Sequence, residues 1–213
     1  MRGLVVTIEV AAGDAQSTGR ISENELIALA DEKGTLVWKA FGMMNQGCVS
    51  PLTGKAFDAV HLITAGITAF RSTGSIMWIP FYLWYLARAY AELDQFDDAW
   101  RRIGEAMAAV ETTGERWCEA DVCRIAGEIT LLSPSADAAK AQGYFERALA
   151  VARVQQAKSW EQRAAMSMAR LYRDRGKRQK ARDLLAPVYG WFTEGFDTLD
   201  LKEAKALLDE LHA

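Results

Sequence analysis

The chain is poor in several residues that structured or catalytic protein classes use in number. Its 213 residues include only four prolines, three cysteines and two histidines. Scarce proline favours long helices, because proline interrupts the hydrogen bonds of a helix interior. Three cysteines (Cys48, Cys118 and Cys123) are too few and odd in number for a disulfide framework. We therefore expect a reducing, cytoplasmic location.

The chain also has few residues of the types that catalyse reactions or bind metals. His61 and His212 are far apart in sequence, and nothing near Cys118-x4-Cys123 completes a set of metal ligands. Residues 49–56 (VSPLTGKA) superficially resemble a phosphate-binding loop, but they lack its first glycine and its metal-binding hydroxyl. We expect no enzyme activity in this chain, no catalytic or metal-binding residue and no cofactor.

Long apolar runs and excess positive charge are missing as well. The most hydrophobic window spans residues 76–86, with Pro80 inside it, whereas a membrane span needs roughly 20 apolar residues. The apolar start of the chain is interrupted at Glu9, so it does not resemble a secretory signal. The formal charge of −3 excludes a strongly basic nucleic-acid surface. We expect a soluble protein that binds neither nucleic acid nor membrane.

What the sequence does contain is a repeat. Small residues recur at steps of 40, 42 and 40 residues, at Ala59, Ala99, Ala141 and Ala181. Four positions after each anchor stands a larger apolar residue: Ile63, Ile103, Phe145 and Leu185. Self-similarity at this period is typical of a solenoid, whose units stack because none can bury its apolar face alone.

The repeat predicts an all-α solenoid of four antiparallel helix pairs with a C-terminal capping helix. Ser22-x-x-Glu25 resembles a capping box that opens an additional helix ending at Gly34. We expect a frayed or truncated segment over residues 1–20, a repeat domain over 21–192 and a cap over 193–213. The predicted pairs are 35–49 with 55–72, 76–93 with 96–112, 116–132 with 136–155, and 159–175 with 177–191.

The repeat resembles the tetratricopeptide repeat (TPR). The resemblance is clearest in Leu83-x2-Leu86-Ala87-x2-Tyr90 and in the matching Ala165-x2-Met168-Ala169-x2-Tyr172. Two departures stand out. The period exceeds the 34 residues of the standard repeat, and the first unit has Ser50 where the aromatic residue is expected.

A narrower resemblance is to the C-terminal repeat tail of large bacterial regulators that join a class III nucleotide cyclase domain to a P-loop ATPase domain. It rests on residues 86–100 (LARAYAELDQFDDAW), 145–153 (FERALAVAR) and 159–211. The resemblance implies that this chain is such a tail without its catalytic domains. Its expected function is then a non-catalytic interaction or regulatory module in bacterial signalling.

The TPR resemblance also implies a concave groove lined by the first helix of each pair. An apolar half followed by an arginine-bearing half would suit a peptide with apolar and acidic groups. The alternative is an ordinary solvated face. The residues placed at the groove positions are Phe41, Met44, Trp84, Arg88, Arg124, Glu128, Arg163, Met166, Arg170 and Arg173.

Two other functions remain open at this stage. The groove of a signal-dependent ATPase regulator can hold a small ligand, which would make the chain a sensor. Alternatively, an exposed aromatic residue at the N-terminal end would make it a self-associating scaffold, a homodimer. Seven tryptophans are available as anchors, but sequence does not say which of them are exposed.

Overall fold

The computed structural model describes residues 22–49 and 55–212, and this part of the chain is entirely helical. Its ten α-helices are joined by short turns, and a 3₁₀ turn, Arg116–Cys118, precedes α6. The helices are α1 Glu23–Glu32, α2 Leu36–Val49, α3 Ala56–Ser72, α4 Ile79–Glu92, α5 Phe96–Thr113, α6 Glu119–Leu132, α7 Ala138–Val154, α8 Lys158–Asp174, α9 Arg178–Tyr189 and α10 Leu199–His212.

The helices form two compact units that divide between Thr113 and Gly114. The first unit contains α1–α5 and the second contains α6–α10. The predicted all-α class is confirmed, and the predicted segment 1–20 lies outside the described residues. The division into a repeat domain over 21–192 and a separate cap stays a prediction.

In the first unit, α2 packs along α3 and α4 packs along α5, while α1 covers α2. Gly47 and Gly66 lie where α2 and α3 cross. A Cβ on Gly47 would collide with Ile63, and one on Gly66 would collide with Met44. Small residues therefore allow the two backbones to approach closely, and the larger apolar residues fill the space between them.

The second unit has the same kind of neighbour contacts. The pairs α6–α7 and α8–α9 pack along each other, and α8 contacts both members of the preceding pair. The last helix, α10, contacts α8 and α9 in a similar way. At the α6–α7 crossing the ring of Phe145 packs directly against Gly127. A Cβ atom at this position would clash with the ring.

The anchors of the repeat are among the most deeply buried residues of these pairs. All four alanines, Ala59, Ala99, Ala141 and Ala181, are 0% exposed. The apolar residues four positions later are at most 1% exposed: Ile63, Ile103, Phe145 and Leu185. The periodicity in the sequence thus marks the helix face that each second helix buries.

Four helix ends close with the same hydrogen bond. The amides of Thr35, Gln95, Ala157 and Lys177 each donate to the carbonyl five residues earlier, at 2.8 to 2.9 Å. In this arrangement one residue before each donor adopts a left-handed conformation. Those residues are Gly34, Asp94, Gln156 and Gly176, with φ between 54° and 71°.

The start of α1 follows the predicted capping box. The Ser22 side chain accepts from the Glu25 amide, and the Glu25 carboxylate accepts from the Ser22 amide at 2.8 Å. The start of α4 is later than predicted, at Ile79 rather than Ile76. Trp78 has φ 63°, so residues 76–78 form a turn that places Pro80 in the first helical turn, where its missing amide costs nothing.

Candidate protein-interaction surfaces

In the first unit, two of the four predicted groove residues belong to the hydrophobic core. Met44 is 0% exposed and Trp84 is 2% exposed, so neither offers surface to a partner in this structure. Arg88 is half-buried and its Nε donates to Glu92 at 3.1 Å within the same helix. The positions that the sequence assigned to a groove at Met44 and Trp84 therefore lie in the protein interior.

Phe41, the fourth groove residue of the first unit, lies in a cluster of aromatic rings. Its ring centroid is 6.1 Å from that of Trp38, 5.1 Å from that of Trp78 and 6.3 Å from that of Tyr82. Tyr82 is buried and donates its hydroxyl to Asn45 Oδ1 at 2.9 Å. Burial, with smaller contributions from Cys48 and Tyr85, raises the pKa of Tyr82 well above its ordinary value. Phe41 therefore links a buried, neutral phenol to two rings nearer the surface.

Part of this cluster reaches solvent. Trp38 is 51% exposed, and Ile76 and Met77, which immediately precede Trp78, are 60% and 53% exposed. Sequence reasoning missed this surface because it looked for anchors at groove positions only. A signal was present, since four consecutive apolar residues (residues 76–79) come directly before Pro80, which favours the first turn of a helix.

In the second unit, the predicted groove residue Arg124 is buried in an ionic network. Its Nε donates to Asp121 at 2.5 Å and its Nη1 donates to Glu128 at 2.7 Å. Burial alone would lower the pKa of Arg124, but Asp121 and Glu128 together raise it above its ordinary value. Ser167 of α8 donates to Glu128 at 2.7 Å. Glu128 thus joins α6 to α8 through Ser167, and Arg124 is occupied by two carboxylates of its own helix.

The arginines of α8 are engaged by α10. Arg163 donates to Asp200 at 2.7 Å and also lies 3.4 Å from Asp121. Arg170 donates to Glu203 at 2.8 Å, and Arg173 donates to Glu210 at 2.9 Å. Met166, on the same helix, is 3% exposed and belongs to the core.

These contacts give the predicted arginine stripe a structural role. Asp121, Arg163 and Asp200 are linked in series across α6, α8 and α10. Each arginine at a groove position of the second unit has a carboxylate partner within its own unit. Its charge is therefore largely neutralised. Arg170 and Arg173 nevertheless keep side-chain exposures of 39% and 28%, which leaves them accessible at the surface.

Two depressions are open to solvent. One lies in the first unit, lined by Lys55, Ala56, Phe57, Asp58, Glu92 and Leu93. The other lies in the second unit, lined by Tyr189, Phe196, Leu201, Lys202, Lys205, Ala206 and Asp209. Neither contains a residue that the sequence placed in the groove.

The three thiols are unsuited to chemistry. Cys48, Cys118 and Cys123 are all buried and unpaired. Burial raises the pKa of each thiol, that of Cys123 to about 11, so none forms the reactive thiolate at neutral pH. Within the described ranges no cluster of histidine, cysteine, aspartate and glutamate side chains could hold a metal ion. Every helix in these ranges is too short or too polar to cross a lipid bilayer.

The chain matches no known protein-family model, and no curated protein is similar enough to count as a match.

Proposed function

We propose that the chain is a TPR-like α-solenoid that acts as a non-catalytic protein-interaction module. The observation that carries the proposal is the complete burial of the four alanine anchors, one on the second helix of each pair. Equivalent residues at a fixed period then make equivalent contacts, as stacked repeats require. The small residues at the helix crossings, Gly47 and Gly127, support the same assignment.

The proposed biological setting is bacterial signalling, as the repeat region of a cyclase- and ATPase-type regulator in the cytoplasm. Support for this part comes from the resemblance of residues 86–100, 145–153 and 159–211 to such tails. In this proposal nucleotide chemistry belongs to other domains, and this chain contributes recognition.

The partner surfaces we propose use accessible arginines within each unit, Arg88 of α4 in the first unit and Arg170 and Arg173 of α8 in the second. Arg88, Arg170 and Arg173 pair with carboxylates that are themselves 29% to 63% exposed. Exposed ion pairs of this kind contribute about 0 to 1 kcal/mol each. A partner carboxylate can therefore replace Glu92, Glu203 or Glu210 at little cost. The proposed ligand is an acidic peptide or protein segment.

Co-purification tests these surfaces. The purified chain is used as bait in extracts of the cells that produce it, alongside Arg88→Glu and Arg170→Glu. The matched controls are Arg101→Glu and Arg182→Glu, which place the same charge change on α5 and α9. We expect a partner that is retained by the wild type and the controls and lost with Arg88→Glu or Arg170→Glu.

Loss of the partner with the control variants only would place the interaction elsewhere. Far-UV circular dichroism of each variant checks that the helices are intact. The non-catalytic part is tested by incubating the purified chain with ATP and GTP. Formation of a cyclic nucleotide or release of phosphate at an enzymatic rate would overturn the proposal.

A further inference from the structure

The exposed end of the aromatic cluster forms a definable surface on the first unit. We call it the aromatic patch: Trp38, Phe41, Ile76, Met77 and Trp78. Trp38 and Trp78 both contact the ring of Phe41, so the members on α2 and on the turn before α4 are physically continuous. Three of the five are more than half exposed.

The backbone at this patch is held in an unfavourable conformation. Trp78 has φ 63° and ψ 2°, in the left-handed region that bulky side chains rarely adopt. Such a conformation costs on the order of 1–3 kcal/mol and persists only when the surroundings enforce it. The strained turn keeps Ile76 and Met77 at the surface and the Trp78 ring against Phe41. Strain that exposes apolar residues is hard to explain by stability alone.

The size of the patch fits the centre of a protein interface. Side chains of this size present about 150–250 Å² each, so three half-exposed ones offer roughly 300 Å² of apolar surface. A standard interface covers about 800 Å² per partner, with an apolar centre and a polar rim. The aromatic patch is large enough for that centre.

The rim favours a second copy of the same chain. Close to Trp38 in sequence, the end of α1, the residue after it and the start of α2 carry two acidic and two basic side chains, Asp31, Glu32, Lys33 and Lys39, which pair within the chain at 2.7 Å. A two-fold axis brings each rim against its own copy, so a rim of one sign would repel itself, whereas a mixed rim can pair across the axis.

The chemistry of the patch also argues against a short peptide. Peptides bind in grooves or pockets that enclose individual side chains. Both depressions described above are lined by residues outside the patch. The rings of the patch pack against one another instead of surrounding a space, which suits another broad surface.

We propose that the aromatic patch is the interface of a homodimer in which two first units meet patch to patch. Met77 and Trp38 are its anchors, and the charged residues Asp31, Glu32, Lys33 and Lys39 form its rim. This inference goes beyond the proposed function, because it names a second copy of the chain as a partner at a different surface.

Sedimentation equilibrium of the full chain over about 2 to 200 µM tests the proposal. We expect the wild type to shift from monomer to dimer within this range. Met77→Asp and Trp38→Glu should each raise the dimer dissociation constant at least about 30-fold, the effect of losing one interface anchor. Both residues are half exposed in the single chain, so the monomer should keep its helix content and thermal stability.

Phe57→Asp and Val154→Asp are the matched controls. Phe57 and Val154 are 74% and 86% exposed but lie outside the patch, so these variants should dimerise like the wild type. A wild type that is monomeric throughout the range overturns the proposal. So does a dimer that Phe57→Asp or Val154→Asp disrupts while Met77→Asp does not.

A cysteine introduced at position 77 tests whether this residue lies near the two-fold axis of the dimer. The native thiols are buried, so Met77→Cys introduces the only readily oxidised cysteine among the described residues. A rapid, dilution-sensitive disulfide dimer is expected, and its absence in a dimeric sample would move the interface away from Met77. Partner capture through Arg88 or Arg170 is measured separately. A monomer that captures its partner removes this inference alone, and a dimer that captures none removes the proposed function alone.

Discussion

The two units bury very different kinds of side chain. The first unit packs apolar and aromatic residues, and its patch leaves several of them at the surface. Among the described residues, all the buried charged or amide side chains belong to the second unit: Glu119, Asp121, Arg124, Glu161 and Gln162. Similar helix pairing is thus compatible with an apolar core in one unit and an ionic network in the other.

The difference shows that one pattern of small and large residues can be stabilised either by apolar contacts or by buried ion pairs. Apolar contacts are non-directional and tolerate substitutions of similar volume. A buried ion pair is directional, and it becomes costly when one partner is removed. We therefore expect the second unit to respond sharply to single charge changes, and the first unit to respond mainly to changes of volume.

The largest effect should come from Arg124→Met in the second unit. The substitution leaves Asp121, which is 1% exposed, without its closest cation. We expect a loss of about 3 kcal/mol in the free energy of unfolding, measured by urea titration with circular dichroism. The matched change in the first unit is Arg71→Met, whose partner Glu105 is 30% exposed; it should cost less than about 1 kcal/mol. Equal losses would contradict the comparison.

A glycine pair compares crowding in the two units. Gly127→Ala in α6 would force a Cβ into the ring of Phe145, whereas Gly104→Ala in α5 meets no atom within 4 Å. We expect the first to destabilise by about 1–3 kcal/mol and the second to stabilise by about 0.5–1 kcal/mol. Differential scanning calorimetry of both variants decides this. A stabilising Gly127→Ala would mean that Phe145 moves aside without cost.

The acid sensitivity of the second unit should depend on Glu161. Burial alone would raise the pKa of this carboxyl, but hydrogen bonds from Lys158 at 2.7 Å and Arg153 at 2.9 Å lower it below its ordinary 4.5. The stabilisation is present above the unfolded pKa and is lost as the pH falls through the folded value, below about 4.5. Glu161→Gln should cost about 1–2 kcal/mol at pH 7 and progressively less toward pH 3.

Melting temperatures from pH 7 to pH 3 measure that convergence. Glu105→Gln provides the comparison in the first unit. Burial alone would raise the pKa of Glu105, but hydrogen bonds from Arg71 and Arg102 lower it. The side chain of Glu105 is more exposed than that of Glu161. Its effect should be smaller. Parallel curves for wild type and Glu161→Gln would show that Glu161 does not titrate differently on folding.

The smallest predicted effect concerns a type of turn that occurs in both units. Asp94 and Gln156 occupy left-handed positions that Gly34 and Gly176 fill elsewhere. Gln156→Gly should stabilise by about 1 kcal/mol, and Asp94→Gly by less, because aspartate tolerates this conformation better than glutamine. Thermal unfolding of both variants checks the order. Destabilisation by both would mean that the side chains contribute more than the strain they impose.

The sequence predicted the all-helical class and most helix bounds well because the features that determine helices are local. Phe96–Thr113 and Ala56–Ser72 lie within one residue of their predicted bounds, and the Ser22 capping box forms as expected. Such signals act over a few residues and leave a clear periodic pattern. The starts of α4 and α6 deviate most, by three residues each. The deviation of α4 arises from Trp78, whose left-handed backbone no local preference predicts.

The candidate site was less predictable because exposure depends on distant contacts. Met44, Trp84 and Met166 lie at the repeat positions from which groove residues were predicted, yet all three are buried. Asp121 and Arg124 form a familiar spacing of three residues along a helix, but their burial depends on how α8 packs over α6. Periodicity gives the face of a helix, and only tertiary structure tells whether that face remains open.

Trp84 has a spectroscopic consequence. Its indole is buried, and its Nε1 hydrogen has no acceptor among the described residues. An indole in such an apolar site emits at shorter wavelength than one in water, whereas Trp38 and Trp191, both more than half exposed, emit at longer wavelength. The blue edge of the intrinsic fluorescence therefore reports on the interior of the first unit. Its collapse during unfolding follows that unit without any added label.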